Sequence, residues 1–221
     1  MDLDISNLQA LTDGHRGRLL AFQGDVRDVE AVSAAVDAAC ARFSSVDIAV
    51  HNACLCPFRS FAEQSNDDFR AVLDVNLFGA INMTRAVLPA MTAQGRGKVC
   101  FTSSGVGVTG FVNVSPYSSS KGAIEALAKC LSLEYAGSGI TFHIIHPPLT
   151  DTKSASPLLV PNEFKASPEK VGRRLARSIK GGRFVMSPSF GTSVSVALSY
   201  LFPTAVGRLL VKMAARSAAR G

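Results

Sequence analysis

Short apolar runs alternate along this chain with longer stretches whose apolar positions recur at three-and-four spacing. The short runs predict strands over residues 18–23, 47–51, 98–103, 140–145 and 183–187, and the longer ones predict helices over 29–43 and 67–92. Ser115 followed by Pro116 opens a further helix, because proline's missing N–H costs nothing at the first helical position. Ser167-Pro168-Glu169 repeats that signal, and Val171, Leu175 and Ile179 then stack on one face until Gly181 ends the helix. This alternation predicts an α/β fold, a doubly wound parallel sheet covered on both faces.

At 221 residues, 47% hydrophobic and 18% charged, the chain has the bulk for one globular domain with a sizeable core. Residues 154–168 are the one long stretch without a periodic pattern, with Leu158, Leu159 and Val160 between Pro157 and Pro161. An apolar loop of that length reads either as a lid over a site or as a surface loop packed on itself. Cys40, Cys54, Cys56, Cys100 and Cys130 are odd in number and sit mostly in apolar stretches. They argue against a disulfide framework and for a reducing compartment. Cys54 and Cys56 are too close for a zinc Cys-x-x-Cys pair, so no metal site is expected. Residues 1–9 have neither the basic start nor the apolar run of a secretory signal, so a cytoplasmic location is expected.

Net charge is +6, and residues 165–221 hold eleven Lys and Arg against one acid, Glu169. Such a segment attracts phosphate-bearing partners or is simply a solvated helix face. No zinc-finger spacing or aromatic–basic interleaving is present, so no nucleic-acid partner is expected. Residues 194–211 are mostly apolar but include Ser195, Ser199, Pro203, Thr204, Gly207 and Arg208, short of the roughly 20 continuous apolar residues of a spanning helix. With Lys212, Arg216 and Arg220 following, residues 192–221 fit a helix lying on the cytoplasmic face of a membrane, a peripheral contact. Packing against the domain, or against a second subunit in a homo-oligomer, is the competing use of the same surface.

The strongest local chemical signal is Tyr117-Ser-Ser-Ser-Lys121, since residues four apart on a helix share a face. An ammonium within roughly 4 to 6 Å of a phenol favours its ionised form, suiting it to proton transfer. Alone, a Tyr-x-x-x-Lys pair is weak evidence. Ser104, however, lies at the end of a predicted strand, where parallel sheets place ligands and where a hydroxyl can steady a carbonyl oxygen gaining charge. Ser103 competes for that role. Asn76 stands inside a predicted helix where asparagine is a poor former, which points either to a hydrogen-bonding task or to a surface position.

Gly24-Asp25-Val26, His51-Asn52-Ala53-Cys54, Asn76-Leu-Phe-Gly79, Thr102-Ser-Ser104, Tyr117-Ser-Ser-Ser-Lys121 and Pro147-Pro-Leu-Thr-Asp-Thr152 follow one another in the order and spacing of the short-chain dehydrogenase/reductase family. The chain resembles that family over roughly residues 10 to 190. The resemblance implies a Rossmann-like sheet and an NAD(P)-dependent oxidoreductase interconverting a ketone and a secondary alcohol. It implies that Tyr117 exchanges a proton with the substrate oxygen, that Lys121 assists Tyr117 and holds the nicotinamide ribose, and that Ser104 polarises the carbonyl. Asn76 would anchor a water linking Lys121 to solvent. Asp25 and Val26 would meet the adenine, Asn52 and Ala53 would border the cofactor, and Pro147 to Thr152 would contact the nicotinamide side. The Pro-Pro-Leu-Thr-Asp-Thr turn is similar to that of 3-ketodihydrosphingosine reductases, which implies NADPH rather than NADH and a lipid-like substrate such as a 3-keto sphingoid base.

The family's first βαβ unit, with its glycine-rich pyrophosphate turn, is not recognisable in the sequence. Residues 1–190 are therefore expected to form a partial dinucleotide-binding and catalytic domain truncated at its N-terminus, and residues 191–221 an apolar and basic helical segment. The non-enzyme alternative is a truncated, cofactor-poor binding or regulatory protein. Gly105-Val-Gly107-Val-Thr-Gly110 matches G-x-G-x-x-G, yet the next predicted helix begins only at Ser115, so it is expected to be a flexible link. His51, Cys54 and Pro148 depart from the residues usual in the family and are expected to narrow the cofactor cleft.

Overall fold

The computed structural model describes residues 1–15, 17–152, 155 and 165–218. Among them, strands β1 (Ile48–His51), β2 (Gly97–Thr102), β3 (Ile140–Ile145) and β4 (Val185–Met186) form a parallel sheet in the order β1-β2-β3-β4. Helices α1 (Gln9–Gly14) and α2 (Val29–Phe43) precede β1, α3 (Asn66–Leu73) and α4 (Gly79–Gln94) lead to β2, and α5 (Gly105–Thr109) and α6 (Ser115–Glu134) lead to β3. Then follow α7 (Pro168–Ser178) before β4, and α8 (Phe190–Leu201) and α9 (Pro203–Ala218) after it. The fold is α/β and Rossmann-like.

Helix starts follow local chemistry. Asp28 accepts from the N–H groups of Glu30 and Ala31 at 2.9 and 3.1 Å, Ser65 and Asp68 form a reciprocal capping box, and the Ser167 hydroxyl accepts from Lys170. Side-chain alternation along the strands then assigns two faces. Val99, Phe101, Phe142 and Ile144 meet Ala80, Val87 and Met91 of α4 and Ile124 and Ala128 of α6. On the other face Cys100, Ile145 and Met186 meet Leu175 of α7 and Ile179 at its C-terminal end. Both faces are covered, as a parallel sheet requires.

Two expectations need correction. Residues 18–23 are not a strand: Gln23 makes only an isolated bridge with Asp2, and Leu19 and Leu20 are exposed. An extended segment becomes a strand through a neighbour's backbone groups, and among the described residues Asp2 supplies them here, through Asp2 N–H to Phe22 O and Gly24 N–H to Asp2 O. The helix expected over 67–92 is present as one run from Asn66 to Gln94, with a π-turn, Asp74–Phe78, between α3 and α4. Residues 105–110 are not a flexible link, because Gly105–Thr109 coil into α5 and pack on α6. A Cβ on Gly107 would stand 2.8 Å from Lys121 Cβ and 3.0 Å from Gly122 N, so only glycine permits this approach. The apolar stretch 194–211 is divided, at Phe202, between α8 and α9. The proline-bounded apolar run at 157–161 lies outside the described residues.

Candidate active site

Parallel strands all end on the same edge of the sheet, and the chain leaves β1, β2 and β3 there through His51-Asn52-Ala53, Thr102-Ser103-Ser104 and His146-Pro147-Pro148. A cleft of about 2120 Å³ opens along this edge. Asp25, Val26, Asn52 and Ala53 line it together with Ser104, Tyr117, Lys121, Pro147 and Thr152. The Thr102 hydroxyl donates to Asn52 Oδ1 at 3.0 Å, tying the ends of β1 and β2 together. Asp25 is occupied by Arg27, whose guanidinium approaches to 2.6 Å and holds the carboxyl below its ordinary value.

Tyr117 and Lys121 lie one turn apart on α6, with Lys121 Nζ 5.5 Å from the centre of the Tyr117 ring. Lys121 is buried and donates to the Thr102 carbonyl at 2.7 Å. Burial pulls its ammonium below the usual lysine range. The phenol moves opposite to the sequence-based expectation: burial raises the Tyr117 pKa, the neighbouring Cys54 adds to the rise, and a hydrogen bond with the Ser104 hydroxyl only partly opposes it. The nearby lysine therefore does not by itself make the phenol acidic.

The structure separates the two neighbouring serines. Ser103 is buried and its hydroxyl donates to Glu125 Oε1 at 2.8 Å, whereas the Ser104 hydroxyl meets Tyr117. Asn76 does not line the cleft. It is fully buried, its Oδ1 accepting from Leu55 N–H at 2.7 Å and its Nδ2 donating to Leu55 O at 3.0 Å and to Ser120 Oγ at 2.9 Å. The surface reading of Asn76 is thereby excluded, and the described contacts give it the task of tying the segment after β1 to α6.

Sequence reasoning missed His51 as more than a departure from pattern, and it missed Glu125, His146 and Tyr200. His51 is buried beside the cleft, and burial, with Lys121 adding to it, outweighs a backbone hydrogen bond at Val75 and lowers its pKa to about 4. The available signal for Glu125 was its spacing: it follows Lys121 by four residues and so shares its face of α6.

The family model described as short chain dehydrogenase matches residues 4–160. The chain belongs to the short-chain dehydrogenase family. It is an oxidoreductase of that family, 37% identical over 185 residues to the oxidoreductase UcpA of Escherichia coli K12, an alignment covering 80% of this chain and 69% of UcpA. Similarity to the 3-dehydrosphinganine reductase TSC10B of Arabidopsis thaliana is lower, 30% over 201 residues, covering 82% of this chain and 58% of that protein. Among solved structures, a short-chain dehydrogenase from Streptomyces avermitilis superposes with a TM-score of 0.77 at 24% identity, over 99% of this chain and 86% of that one. A short-chain dehydrogenase from Burkholderia cenocepacia J2315, solved in complex with NADP, gives 0.74 at 20% identity over 88% and 81%. These two likenesses concern the fold.

The donors at the sheet edge suit the nicotinamide half of a dinucleotide. The buried Lys121 ammonium offers three N–H groups, of which the Thr102 carbonyl takes one, and the Asn52 amide and the Ser104 and Tyr117 hydroxyls stand on the same cleft. The one G-x-G-x-x-G stretch is spent on packing α5 against α6.

Proposed function

We propose that this short-chain dehydrogenase is an NADPH-dependent reductase that interconverts a ketone and a secondary alcohol on a lipid-like substrate such as a 3-keto sphingoid base. The observation that carries the reading is the convergence of Ser104, Tyr117 and Lys121, from two elements, on one cleft at the strand ends. The nicotinamide cofactor supplies or accepts the hydride when bound. Lys121 holds the ribose hydroxyls with the N–H groups not given to Thr102. Ser104 donates to the substrate carbonyl oxygen, and Tyr117 delivers the proton that turns that oxygen into a hydroxyl. Burial raises the phenol's pKa, so Tyr117 meets the substrate oxygen in its protonated form. Pro147 and Thr152 border the nicotinamide side, and Asp25 and Val26 the adenine side.

NADP is favoured because the Burkholderia cenocepacia dehydrogenase and the protein ElxO, both similar in fold, were solved with it bound. A lipid-like substrate is favoured by the likeness to two 3-dehydrosphinganine reductases and by apolar cleft walls that include Phe58, Phe111, Leu149, Val196 and Met213. We further propose that the outward side of α8 and α9 rests on an anionic membrane surface at the cytoplasmic face. Phe190, Leu201, Phe202 and Leu209 are exposed there beside exposed Arg208, Lys212 and Arg216.

Titration of the protein with NADPH and with NADH, followed by NADPH consumption on 3-ketodihydrosphingosine and on a short-chain ketone, tests the reading. Tighter binding of NADPH and faster turnover of the sphingoid ketone are expected. Absence of binding to either nucleotide would leave the non-catalytic binding protein as the reading that stands.

A further inference from the structure

Behind the reacting groups lies a second polar cluster, in which Ser103, Glu125 and His146 are buried and Tyr200 closes the outer side while still partly exposed. Its centre is the Glu125 carboxylate, buried in α6 one turn beyond Lys121. Ser103 Oγ donates to its Oε1 at 2.8 Å, and His146 Nε2 stands 3.1 Å from the same oxygen. Tyr200 Oη, on α8, donates to Oε2 at 2.7 Å and lies 3.3 Å from His146 Nε2. The His146 and Tyr200 rings meet edge to face, 6.0 Å apart at 88°. Burial alone would raise the Glu125 pKa, but hydrogen bonds from His146, Tyr200 and Ser103 outweigh it and hold the group below its ordinary value. The side chain is thus a carboxylate with three donors, which is what a buried charge requires.

Each donor adjoins a group of the cleft. Ser103 precedes Ser104 at the end of β2, His146 precedes Pro147 at the end of β3, and Glu125 shares its helix face with Lys121. Tyr200 is the exception: it belongs to α8, 75 residues further along the chain, and α8 contributes Thr192, Ser195, Val196 and Ser199 to the cleft wall. One carboxylate therefore joins two strand ends, the helix bearing Tyr117 and Lys121, and the C-terminal helices.

We infer that Glu125 is a positioning residue that ties the ends of β2 and β3 to α8 and so sets Ser104 and Pro147 relative to Tyr117. It touches neither substrate nor cofactor and acts through its donors. The inference rests on reading the cleft as catalytic, but the tie itself is a mechanical statement that can be examined without turnover.

The test compares Glu125→Leu, Glu125→Gln and Tyr200→Phe in the full chain by hydrogen exchange and by steady-state kinetics with NADPH. In Glu125→Leu, exchange should quicken by about tenfold at residues 102–104, 146–152 and 190–201 while β1 and α4 stay protected, since the loss is local. Its kcat should fall by about tenfold or more with KM for NADPH within about threefold, because misplacement of Ser104 and not cofactor binding limits it. Glu125→Gln keeps the shape and two hydrogen-bonding atoms and should recover kcat to within about threefold. Tyr200→Phe should quicken exchange in α8 and, to a smaller degree, at 146–152. Uniformly faster exchange across the fold in Glu125→Leu would overturn the inference, as would no rescue by glutamine. Should the leucine variant fail to fold, unchanged exchange at 146–152 in Tyr200→Phe overturns it. Absence of turnover in the wild type would count against the catalytic reading alone, and the exchange pattern would still decide the tie.

Discussion

The Lys121 ammonium stands 5.5 Å from the centre of the Tyr117 ring and is hydrogen-bonded at 2.7 Å to the carbonyl of Thr102, two residues before Ser104. The lysine therefore couples α6 to the end of β2 as well as facing the phenol. Tyr117→Phe removes the proton donor and leaves this coupling intact. It should lower turnover by about 100-fold or more while NADPH affinity stays within about twofold, as measured by steady-state kinetics and nucleotide titration. Lys121→Met should lower both, because it also strips the ribose donor and leaves the Thr102 carbonyl unpaired at a cost of about 1 to 3 kcal/mol in urea unfolding. Equal turnover in wild type and Tyr117→Phe would remove Tyr117 from its assigned role.

Asn76 makes three hydrogen bonds from a fully buried position, two to the Leu55 backbone and one to Ser120. Asn76→Ala orphans both Leu55 groups, so its stability in urea should drop by about 2 to 4 kcal/mol. A loss under about 0.5 kcal/mol, the range of ordinary surface substitutions, would contradict the structural tie described for it.

Two glycines of one short helix should respond differently. Gly107→Ala places a Cβ 2.8 Å from Lys121 Cβ, whereas Gly105→Ala meets nothing within 4 Å. The first should destabilise by about 1 to 3 kcal/mol through displacement of α5 from α6, and the second should be neutral within about 1 kcal/mol. Thermal unfolding of the two variants side by side checks the difference.

Burial holds the His51 pKa at about 4 against 6.5 for a free imidazole. With the folded value the lower, the unfolded chain takes up the proton first. The native state therefore keeps its full stability above pH 6.5 and loses it as pH falls towards 4. The loss assigned to this one group is about 3 kcal/mol. In His51→Asn that component should vanish, so the pH dependence of the wild-type-minus-variant difference in urea unfolding isolates it. Parallel curves over that range would show that the group does not titrate as described.

For α8 and α9, co-sedimentation with phosphatidylserine-containing vesicles and with phosphatidylcholine vesicles is the relevant measurement. The wild type should prefer the anionic vesicles, and Lys212→Glu with Arg216→Glu should weaken that preference by about tenfold or more. Equal partitioning to both vesicle types, or a concentration-dependent dimer that ignores vesicles, would assign the apolar surface to another use.

Much of this molecule is written locally. Asp28, Ser65 and Ser167 cap their helices through atoms within three residues, and the alternating side chains of β2 and β3 sort themselves between two faces whatever lies beyond. The spacing of Tyr117 and Lys121 is likewise a property of any α-helix. Residues 18–23 show the boundary of such reasoning, since their apolar pattern makes no strand without a neighbour. That Ser103 bonds to Glu125 while Ser104 meets Tyr117 depended on where α6 came to lie, and the partners of Asn76 depended on a π-turn absent from any propensity. The phenol of Tyr117 gives the clearest physical reason. A charge one turn away is visible in the sequence, but the desolvation that raises the phenol's pKa comes from every element that closes over the ring. Only the assembled fold supplies that enclosure.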